Sequence, residues 1–378
     1  MDDVDEDDLA IPLPVFSDEE VDDCREEPLP SGSVGERIKA LLQAIVDKSG
    51  ARYCPSLLDV EFWRGFGAED GLHVNDLERL PQSICEASVS RRMLDERGYL
   101  QCGSRADAEL TRRVNRGLQR LKATGFAPAF IYVFDETWLV IEAQWRLLGA
   151  VLAVDGDADP SEAVLEPSIG AHVLSRPSAA CRDAEGASSE IQRHTPIGGA
   201  FSLPHRDHSS ADCFDDRGHP TLLSLWVPVT DVTAENGCMF VVPKEADALF
   251  GQPAHAQHLS PHRSLDWGGA IALAPVAAGS TLAWHGSLVH WGGRCASYSE
   301  HEPRASLTAA VRRRGARGTA LQAQQDTSLP ELTLDDLPLP LSERVRYACG
   351  SVLLYSFWYG LQSGIVPEAA VAEWPEVD

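Results

Sequence analysis

The chain has few basic residues for its length, and this shortage excludes one large class of partners. Its 378 residues include 32 lysines and arginines against 57 aspartates and glutamates, which gives a formal net charge of −25 at pH 7. Binding to phosphate groups requires a cationic surface. We therefore expect no binding to nucleic acid or to anionic membranes, and the sequence shows no evident protein partner.

Paired cysteine motifs and a signal sequence are also lacking. The nine cysteines are scattered with no C-x-x-C spacing, a pattern typical of reduced thiols. The acidic amino terminus has no basic region followed by an apolar core, so no signal peptide is predicted. Residues 347–366 carry no formal charge, but their glycines and serines favour a buried carboxyl-terminal helix over a membrane span. These features predict a cytoplasmic location.

Composition along the chain predicts four regions. Residues 1–30 hold 13 acidic residues and one arginine, so we predict a disordered acidic tail over 1–32. Apolar residues at helical spacing predict a helical region over 33–160, beginning at a capping box at Ser33. Short apolar runs between glycine and proline turns predict a double-stranded β-helix core, a cupin-like jelly roll, over 161–320. A linker and a carboxyl-terminal helix are expected over 321–378.

Local patterns within these regions predict individual elements. Apolar positions over 110–121 predict a helix that is terminated by Gly125, and a second helix is expected over 137–152. Apolar runs predict strands over 221–229, 238–242, 279–284 and 305–311. The Asn236-Gly237 pair stands before the second of these runs, which predicts a turn between two paired strands.

A histidine and an aspartate separated by one residue, His205 and Asp207, form the most informative motif. On an extended segment the two side chains lie on the same face, because strand side chains alternate. His290, which follows a predicted strand, can supply a third ligand from a neighbouring strand. Two imidazoles and one carboxylate bind non-haem Fe(II) and leave coordination positions open, whereas the lack of a thiolate argues against structural zinc.

Arg304 and Ser306 repeat the same spacing and can offer a guanidinium and a hydroxyl group to one carboxylate. An iron site combined with an anchor for a dicarboxylate predicts an oxygenase that uses 2-oxoglutarate. Arg294 is the competing candidate for the anchor.

At these motifs the chain resembles the phytanoyl-CoA dioxygenase family of Fe(II)/2-oxoglutarate oxygenases. The similarity extends over about residues 90 to 312, and its pieces occur in the family's order: Pro204–His208, Leu225–Asp231, Glu235–Pro243, Gly279–Gly293 and Arg304.

The resemblance implies a role for each matching residue. His205, Asp207 and His290 would bind Fe(II). Arg304 would hold the distal carboxylate of 2-oxoglutarate, and Trp226 would border this co-substrate. Dioxygen would be consumed, succinate and carbon dioxide released, and a small molecule hydroxylated; a lipid-like or acyl compound is one candidate substrate.

Two departures from the family pattern concern the co-substrate anchor. The gap of 14 residues between His290 and Arg304 is longer than usual. Gly292 stands where many members carry a hydroxyl residue, so Ser306 is expected to take over that role. Two alternative functions are a non-catalytic sensor that binds iron and 2-oxoglutarate, and a cupin-type metal enzyme that does not use 2-oxoglutarate.

The strand over 222–229 presents two different faces. Leu222, Ser224 and Trp226 share one of them, and the other is continuously aliphatic. Because an aliphatic face suits contact with covering helices, we expect Trp226 to point into the barrel with the proposed iron ligands.

Overall fold

A computed structural model describes residues 53–54, 57–77, 87–153, 163–176, 204–259, 261, 265–296, 298–316, 329–354 and 366–367. The predicted acidic tail over 1–32 and the helix expected from Ser33 lie outside the described residues. The four-region division of the chain stays a prediction.

Six α-helices occur in the described ranges: α1 (Val60–Gly67), α2 (Ala87–Arg97), α3 (Ala108–Thr124), α4 (Asp135–Leu152), α5 (Ser210–Cys213) and α6 (Leu341–Leu354). Short 3-10 helices occupy Ala68–Asp70, Pro128–Val133, Lys244–Ala246, Trp267–Gly269 and Leu334–Asp336. The two helices predicted from apolar spacing are confirmed as α3 and α4. Helix α3 begins after Asp107, whose carboxylate accepts from the amides of Glu109 and Leu110. It ends at Gly125, which adopts a left-handed φ of 85°.

The strands are β1 (Tyr53–Cys54), β2 (Tyr99–Ser104), β3 (Ala163–Leu165), β4 (Gly170–Val173), β5 (Leu222–Pro228), β6 (Met239–Val241), β7 (Ile271–Leu273), β8 (Ser280–His285), β9 (His290–Gly292), β10 (Ala305–Arg313) and β11 (Val366–Pro367). The larger sheet has the order β2-β8-β5-β10-β3, and β4 also pairs with β10. The smaller sheet has the order β7-β6-β9. Every pairing within these two sheets is antiparallel, whereas β1 and β11 form a separate parallel pair.

The two faces of the larger sheet have different neighbours. From β5, Leu223, Leu225 and Val227 belong to the main core, together with residues of α3, α4 and α6. Trp226 belongs instead to a second core that it shares with residues of the smaller sheet. Antiparallel sheets with helices covering one face confirm the predicted fold class, a mainly β jelly roll with flanking helices.

The prediction of a turn between paired strands at Asn236-Gly237 is wrong. Strand β5 pairs with β8 and β10, whereas β6 pairs with β7 and β9, so the segment crosses from the larger sheet to the smaller one. The buried Asn236 side chain stabilises this crossing by donating to the carbonyls of Asp231 and Glu302. Gly237 has a φ of 104°, and a Cβ there would lie 2.4 Å from Leu174. Asn236 and Gly237 thus allow two loops to approach each other closely, and they do not form the turn of a hairpin.

Helix α6 and the cysteines bear on two further expectations. The predicted helix over 347–366 is present as far as Leu354, and residues 355–365 lie outside the described ranges. No helix in the described part of the chain is both long and apolar enough to span a membrane. Among the residues whose side chains are described, five cysteines are buried and free: Cys102, Cys213, Cys238, Cys295 and Cys349.

Two glycines of α1 should respond to alanine in opposite ways. A Cβ at Gly67 would lie 2.8 Å from the ring of Phe134 and 2.9 Å from Leu72 Cβ, whereas Gly65 has no atom within 4 Å. We expect Gly67→Ala to lower the free energy of unfolding by about 1–3 kcal/mol through overpacking. Gly65→Ala should raise it by about 0.5–1 kcal/mol, because alanine favours the helix. Denaturant unfolding measures both, and a stabilised Gly67→Ala would contradict the packing at this site.

Candidate metal centre

Backbone pairing brings the H-x-D motif next to the distal histidine. The amide of His205 donates to the carbonyl of His290 at 3.1 Å, and the amide of His290 donates back at 3.0 Å. Because His290 begins β9, this bridge fastens the motif to the smaller sheet.

The three predicted ligand side chains meet in one cluster. Asp207 Oδ1 lies 3.7 Å from His205 Nε2 and 3.5 Å from His290 Nε2. One ligand atom from each side chain lies within 4.8 Å of the other two. This spacing fits three ligands of a single metal ion, with the opposite side open.

A hydrogen bond orients the carboxylate in this cluster. Ser224 Oγ, on the inward face of β5, donates to Asp207 Oδ2 at 2.6 Å, which leaves Oδ1 facing the two imidazoles. Burial alone would raise the pKa of Asp207, but the neighbouring His290 and His205 together with the Ser224 hydrogen bond lower it to about 2. Asp207 is therefore an anionic oxygen donor at neutral pH.

A hydrogen bond and burial also prepare the ring of His290 for metal binding. Its Nδ1 lies 3.0 Å from the carbonyl of Leu288, and because a carbonyl can only accept, Nδ1 carries the proton. Burial lowers the pKa of His290 to about 4, so the ring is neutral. The unprotonated Nε2 is the atom that faces Asp207.

His208 lies on the same side as Asp207, although a fully extended chain would turn these two neighbouring side chains to opposite sides. The chain bends at residues 207 and 208, and His208 lines the same cavity as Asp207. The alternation of side chains therefore holds for the H-x-D triplet and ends at Asp207.

The cluster opens into a cavity of about 140 Å³ between the two sheets. The larger sheet contributes residues of β4, β5, β8 and β10, and the smaller sheet contributes residues of β6 and β9. The lining consists of Ser168, His172, His205, Asp207, His208, Ser224, Leu225, Trp226, Met239, Trp284, His290, Gly292, Arg304, Thr308, Ala309 and Ala310.

Arg304 lines this cavity as a buried cation. Its Nη1 donates to the carbonyl of Gly237 at 2.5 Å, and its Nε has no partner. The guanidinium carbon lies 5.5 Å from the centre of the Trp226 ring, a cation–π contact. Burial lowers the pKa of Arg304 to about 10, which still leaves it charged at neutral pH. Arg294, the competing anchor, is exposed and does not line the cavity.

Arg304 differs from the other buried arginines of the described chain in having no acidic partner. The three others are each paired with a buried carboxylate: Arg206 with Asp247, Arg312 with Glu166 and Arg344 with Asp135. A buried charge is costly unless it is neutralised. The unpaired guanidinium therefore fits an anionic ligand such as the carboxylate of 2-oxoglutarate.

Gly292 explains one of the two departures from the family pattern. A Cβ at this position would lie 3.1 Å from Arg304 Nη2 and 3.2 Å from Nη1. The glycine thus leaves space for the guanidinium, and a larger residue would press on it.

Ser306 lies on the inward side of β10, but it is not part of the cavity lining. Its hydroxyl is fully buried and has no partner among the described residues. Thr308, two residues further along, reaches the cavity instead, and its hydroxyl lies 3.4 Å from His172 Nε2. Burial, and then the charge of Arg304, lower the pKa of His172 to about 3.

Among the polar residues of the cavity, sequence reasoning missed Ser168, His172 and Thr308, the inward position of His208, and the role of Ser224 as a partner of Asp207. The alternation along β5 had placed Ser224 on the inward face. Extending the Arg304-x-Ser306 alternation by two residues would have found Thr308. No motif marks His172.

The site combines a two-histidine, one-carboxylate cluster with a buried arginine in one cavity of a jelly roll, the combination expected of a non-haem iron oxygenase with a dicarboxylate co-substrate. A family model described as phytanoyl-CoA dioxygenase (PhyH) matches residues 94–301, which is more than half of the chain, and the chain belongs to this family. It is a 2-oxoglutarate-dependent oxygenase, and the predicted use of iron and 2-oxoglutarate is confirmed. The matched range includes the three clustered residues, and Arg304 lies just beyond it.

Several solved structures are similar to this chain. The non-heme α-ketoglutarate-dependent epimerase SnoN from nogalamycin biosynthesis is 20% identical, with 60% of this chain and 82% of that chain covered and a TM-score of 0.38. AviO1 from Streptomyces viridochromogenes Tue57 is 14% identical, with 63% and 100% covered and a TM-score of 0.40. The non-heme monooxygenase ThoJ in a nickel complex is 14% identical, with 59% and 76% covered and a TM-score of 0.38. No curated protein sequence matches the chain.

The two candidate anchors should differ in their effect on the co-substrate. We expect Arg304→Ala to weaken 2-oxoglutarate binding by about 2–5 kcal/mol, or roughly 30- to 4,000-fold, because a desolvated charged contact is lost. Arg294→Ala removes a charge at the exposed surface and should change the affinity less than about twofold. Anaerobic titration of the Fe(II)-loaded proteins with 2-oxoglutarate compares the two variants. A larger loss in Arg294→Ala would contradict the assignment of Arg304.

Proposed function

We propose that the protein hydroxylates a carbon–hydrogen bond of a small molecule, with His205, Asp207 and His290 as the iron ligands and Arg304 as the co-substrate anchor. One observation supports this most: the three ligand atoms and an arginine without an acidic partner face the same cavity. Bound Fe(II) and 2-oxoglutarate would supply the oxidising power, with dioxygen consumed and succinate and carbon dioxide released.

Two of the ligand side chains, His290 and Asp207, would hold the metal without a change in protonation state. Neutral His290 offers Nε2, because its Nδ1 proton is committed to a backbone carbonyl. Asp207 offers an anionic Oδ1, because Ser224 occupies Oδ2. Such fixed partners of the ligands set ring and carboxylate orientation before the ion binds.

Arg304 and Trp226 would bind and orient the co-substrate. The bond to the Gly237 carbonyl and the contact with the indole ring fix the plane of the guanidinium. Its unpartnered Nε is then available to the distal carboxylate of 2-oxoglutarate. Ser306, the other residue predicted to contact 2-oxoglutarate, lies behind the residues that line the cavity. Thr308 lines the cavity and is better placed to contact a ligand.

The lining of the cavity supports a small organic substrate, for which a lipid-like or acyl compound remains one candidate. Beside the proposed ligands and Arg304 the lining is largely apolar, as in other small-molecule pockets, and includes Leu225, Trp226, Met239, Trp284, Ala309 and Ala310. A carboxylate ligand, Asp207, favours hydroxylation over halogenation. An anchor for a dicarboxylate favours an oxygenase over a cupin-type enzyme that does not use 2-oxoglutarate. The scattered free cysteines support a cytoplasmic location.

Substrate-dependent release of succinate tests the proposed reaction. The Fe(II)-loaded protein would be given 2-oxoglutarate, dioxygen and a library of small metabolites, and each active compound would be analysed by mass spectrometry for a gain of one oxygen atom. Asp207→Ala should lower the rate of succinate release by more than about 100-fold, because two histidines alone bind the metal weakly. Asp216→Ala, an exposed aspartate of the following segment, is the matched control and should retain activity.

Full succinate release by Asp207→Ala without added carboxylate would contradict the ligand assignment. Succinate release coupled to a product without the added oxygen atom would contradict hydroxylation and leave the ligand assignment standing.

Replacement of Trp226 by phenylalanine separates a role in the site from a role in packing. Phenylalanine keeps an aromatic body but is a weaker cation–π partner, so we expect Trp226→Phe to weaken 2-oxoglutarate binding by about 0.5–2 kcal/mol, or roughly 2- to 30-fold. Trp145→Phe, in the main core away from Arg304, should destabilise the fold with unchanged 2-oxoglutarate affinity. Titration and thermal unfolding of both variants measure the difference. Loss of stability alone in Trp226→Phe would make Trp226 a packing residue.

A further inference from the structure

The middle residue of the H-x-D motif, Arg206, makes a set of contacts that the proposed reaction does not explain. Its side chain is completely buried. Nε donates to the carbonyl of His258 at 2.6 Å, and Nη1 donates to the carbonyl of Ser287 at 2.7 Å and to Asp247 Oδ2 at 2.6 Å. None of these partners lines the cavity. Arg206 thus connects the motif to two segments that are distant in sequence.

The buried ion pair between Arg206 and Asp247 contributes more to the position of the motif than to the stability of the fold. Both side chains are shielded from water, with exposures of 0% and 3%. Removing two charges from water costs free energy that their attraction offsets only in a well-defined arrangement. Asp247 is itself held, because its Oδ1 accepts from the amide of Leu249 at 3.0 Å. The pair therefore fixes where the motif lies.

A single turn, residues 286–288, receives hydrogen bonds from both sides of the metal centre. Three consecutive carbonyls accept one bond each: Gly286 from the amide of His208 at 2.9 Å, Ser287 from Arg206 Nη1 at 2.7 Å and Leu288 from His290 Nδ1 at 3.0 Å. The turn that sets the tautomer of one proposed ligand is thus bound directly by the residue between the other two.

We propose that Arg206 is a positioning residue that holds the H-x-D motif and the turn 286–288 in the relative arrangement required for metal binding. It does not touch the metal or the co-substrate. It acts through His205 and Asp207, its chain neighbours, and through the Leu288 carbonyl that orients His290. This inference rests on the proposed ligand assignment and adds a role for a residue outside the cavity.

A second buried arginine provides a matched control. Arg344 Nε donates to the carbonyl of Leu339 at 2.7 Å, and its Nη1 bonds to the carbonyl of Val133 at 3.2 Å and to Asp135 Oδ1 at 2.5 Å. Like Arg206, it is buried and binds two backbone carbonyls and one carboxylate. Its partners belong to the helical layer, and none of them lines the cavity. Changes at the two arginines should therefore cost similar stability and differ in their effect on the metal.

The experiment is an anaerobic Fe(II) titration of the full chain, with thermal unfolding of each apoprotein measured in parallel. Arg206→Lys should weaken Fe(II) binding by about 10- to 100-fold, the range found when a partner of a metal ligand is lost. Arg206→Met should weaken it further, because lysine restores the charge opposite Asp247 and methionine does not. Arg344→Lys should lower the melting temperature by about as much as Arg206→Lys does. Its Fe(II) affinity should stay within about twofold of that of the unchanged protein.

Asp247→Asn gives a second test that keeps Arg206 in place and preserves the shape of its partner. It should also weaken Fe(II) binding, by at least threefold. The proposal is overturned if Asp247→Asn and Arg206→Lys bind Fe(II) as the unchanged protein does. It is equally overturned if Arg344→Lys loses as much Fe(II) affinity as Arg206→Lys at the same loss of melting temperature.

A His290→Ala variant separates failure of this inference from failure of the proposed function. If His290→Ala abolishes Fe(II) binding while the Arg206 variants bind normally, the ligand assignment stands and Arg206 is structural. If His290→Ala binds Fe(II) as well as the unchanged protein, the ligand assignment itself is wrong, and the role of Arg206 falls with it.

Discussion

The reciprocal backbone hydrogen bonds between His205 and His290 are the contact on which the metal centre depends. They bring a motif that lies outside the named strands against the first residue of β9, in the smaller sheet. Ser224 then binds Asp207 from the larger sheet. Because the ligands and their partners come from both sheets, the centre is complete only when the two sheets are packed face to face.

Charge balance in the interior makes the cavity suitable for an anionic co-substrate. Most buried arginines of the described chain are neutralised within the protein, and this rigid pairing is costly to break. Arg304 is the exception, with an aromatic ring and a carbonyl as its neighbours. Asp207 contributes the opposite charge at the metal side of the same cavity. A metal cation and a dicarboxylate would neutralise both charges together, so each ligand should favour binding of the other.

The alternation of side chains along extended segments makes much of the site predictable from the sequence. The contacts between segments that are distant in sequence are not predictable in this way. The shared face of His205 and Asp207, and the inward direction of Trp226, follow from the two-residue repeat of extended chains. The Asn236-Gly237 pair predicts a turn between paired strands, but this local signal does not reveal which sheet the next strand joins. Nothing in the chain around Arg206 indicates that its partners are the carbonyls of distant loops, since any residue can supply a carbonyl.

The most direct test of this account is a crystal structure of the protein with Fe(II) and 2-oxoglutarate, prepared without dioxygen and measured at the iron absorption edge. The account predicts one anomalous peak bonded to His205 Nε2, His290 Nε2 and a carboxylate oxygen of Asp207. It also predicts the distal carboxylate of 2-oxoglutarate on the guanidinium of Arg304. An iron peak away from these three side chains, or a co-substrate whose distal carboxylate lies on Arg294, would contradict it.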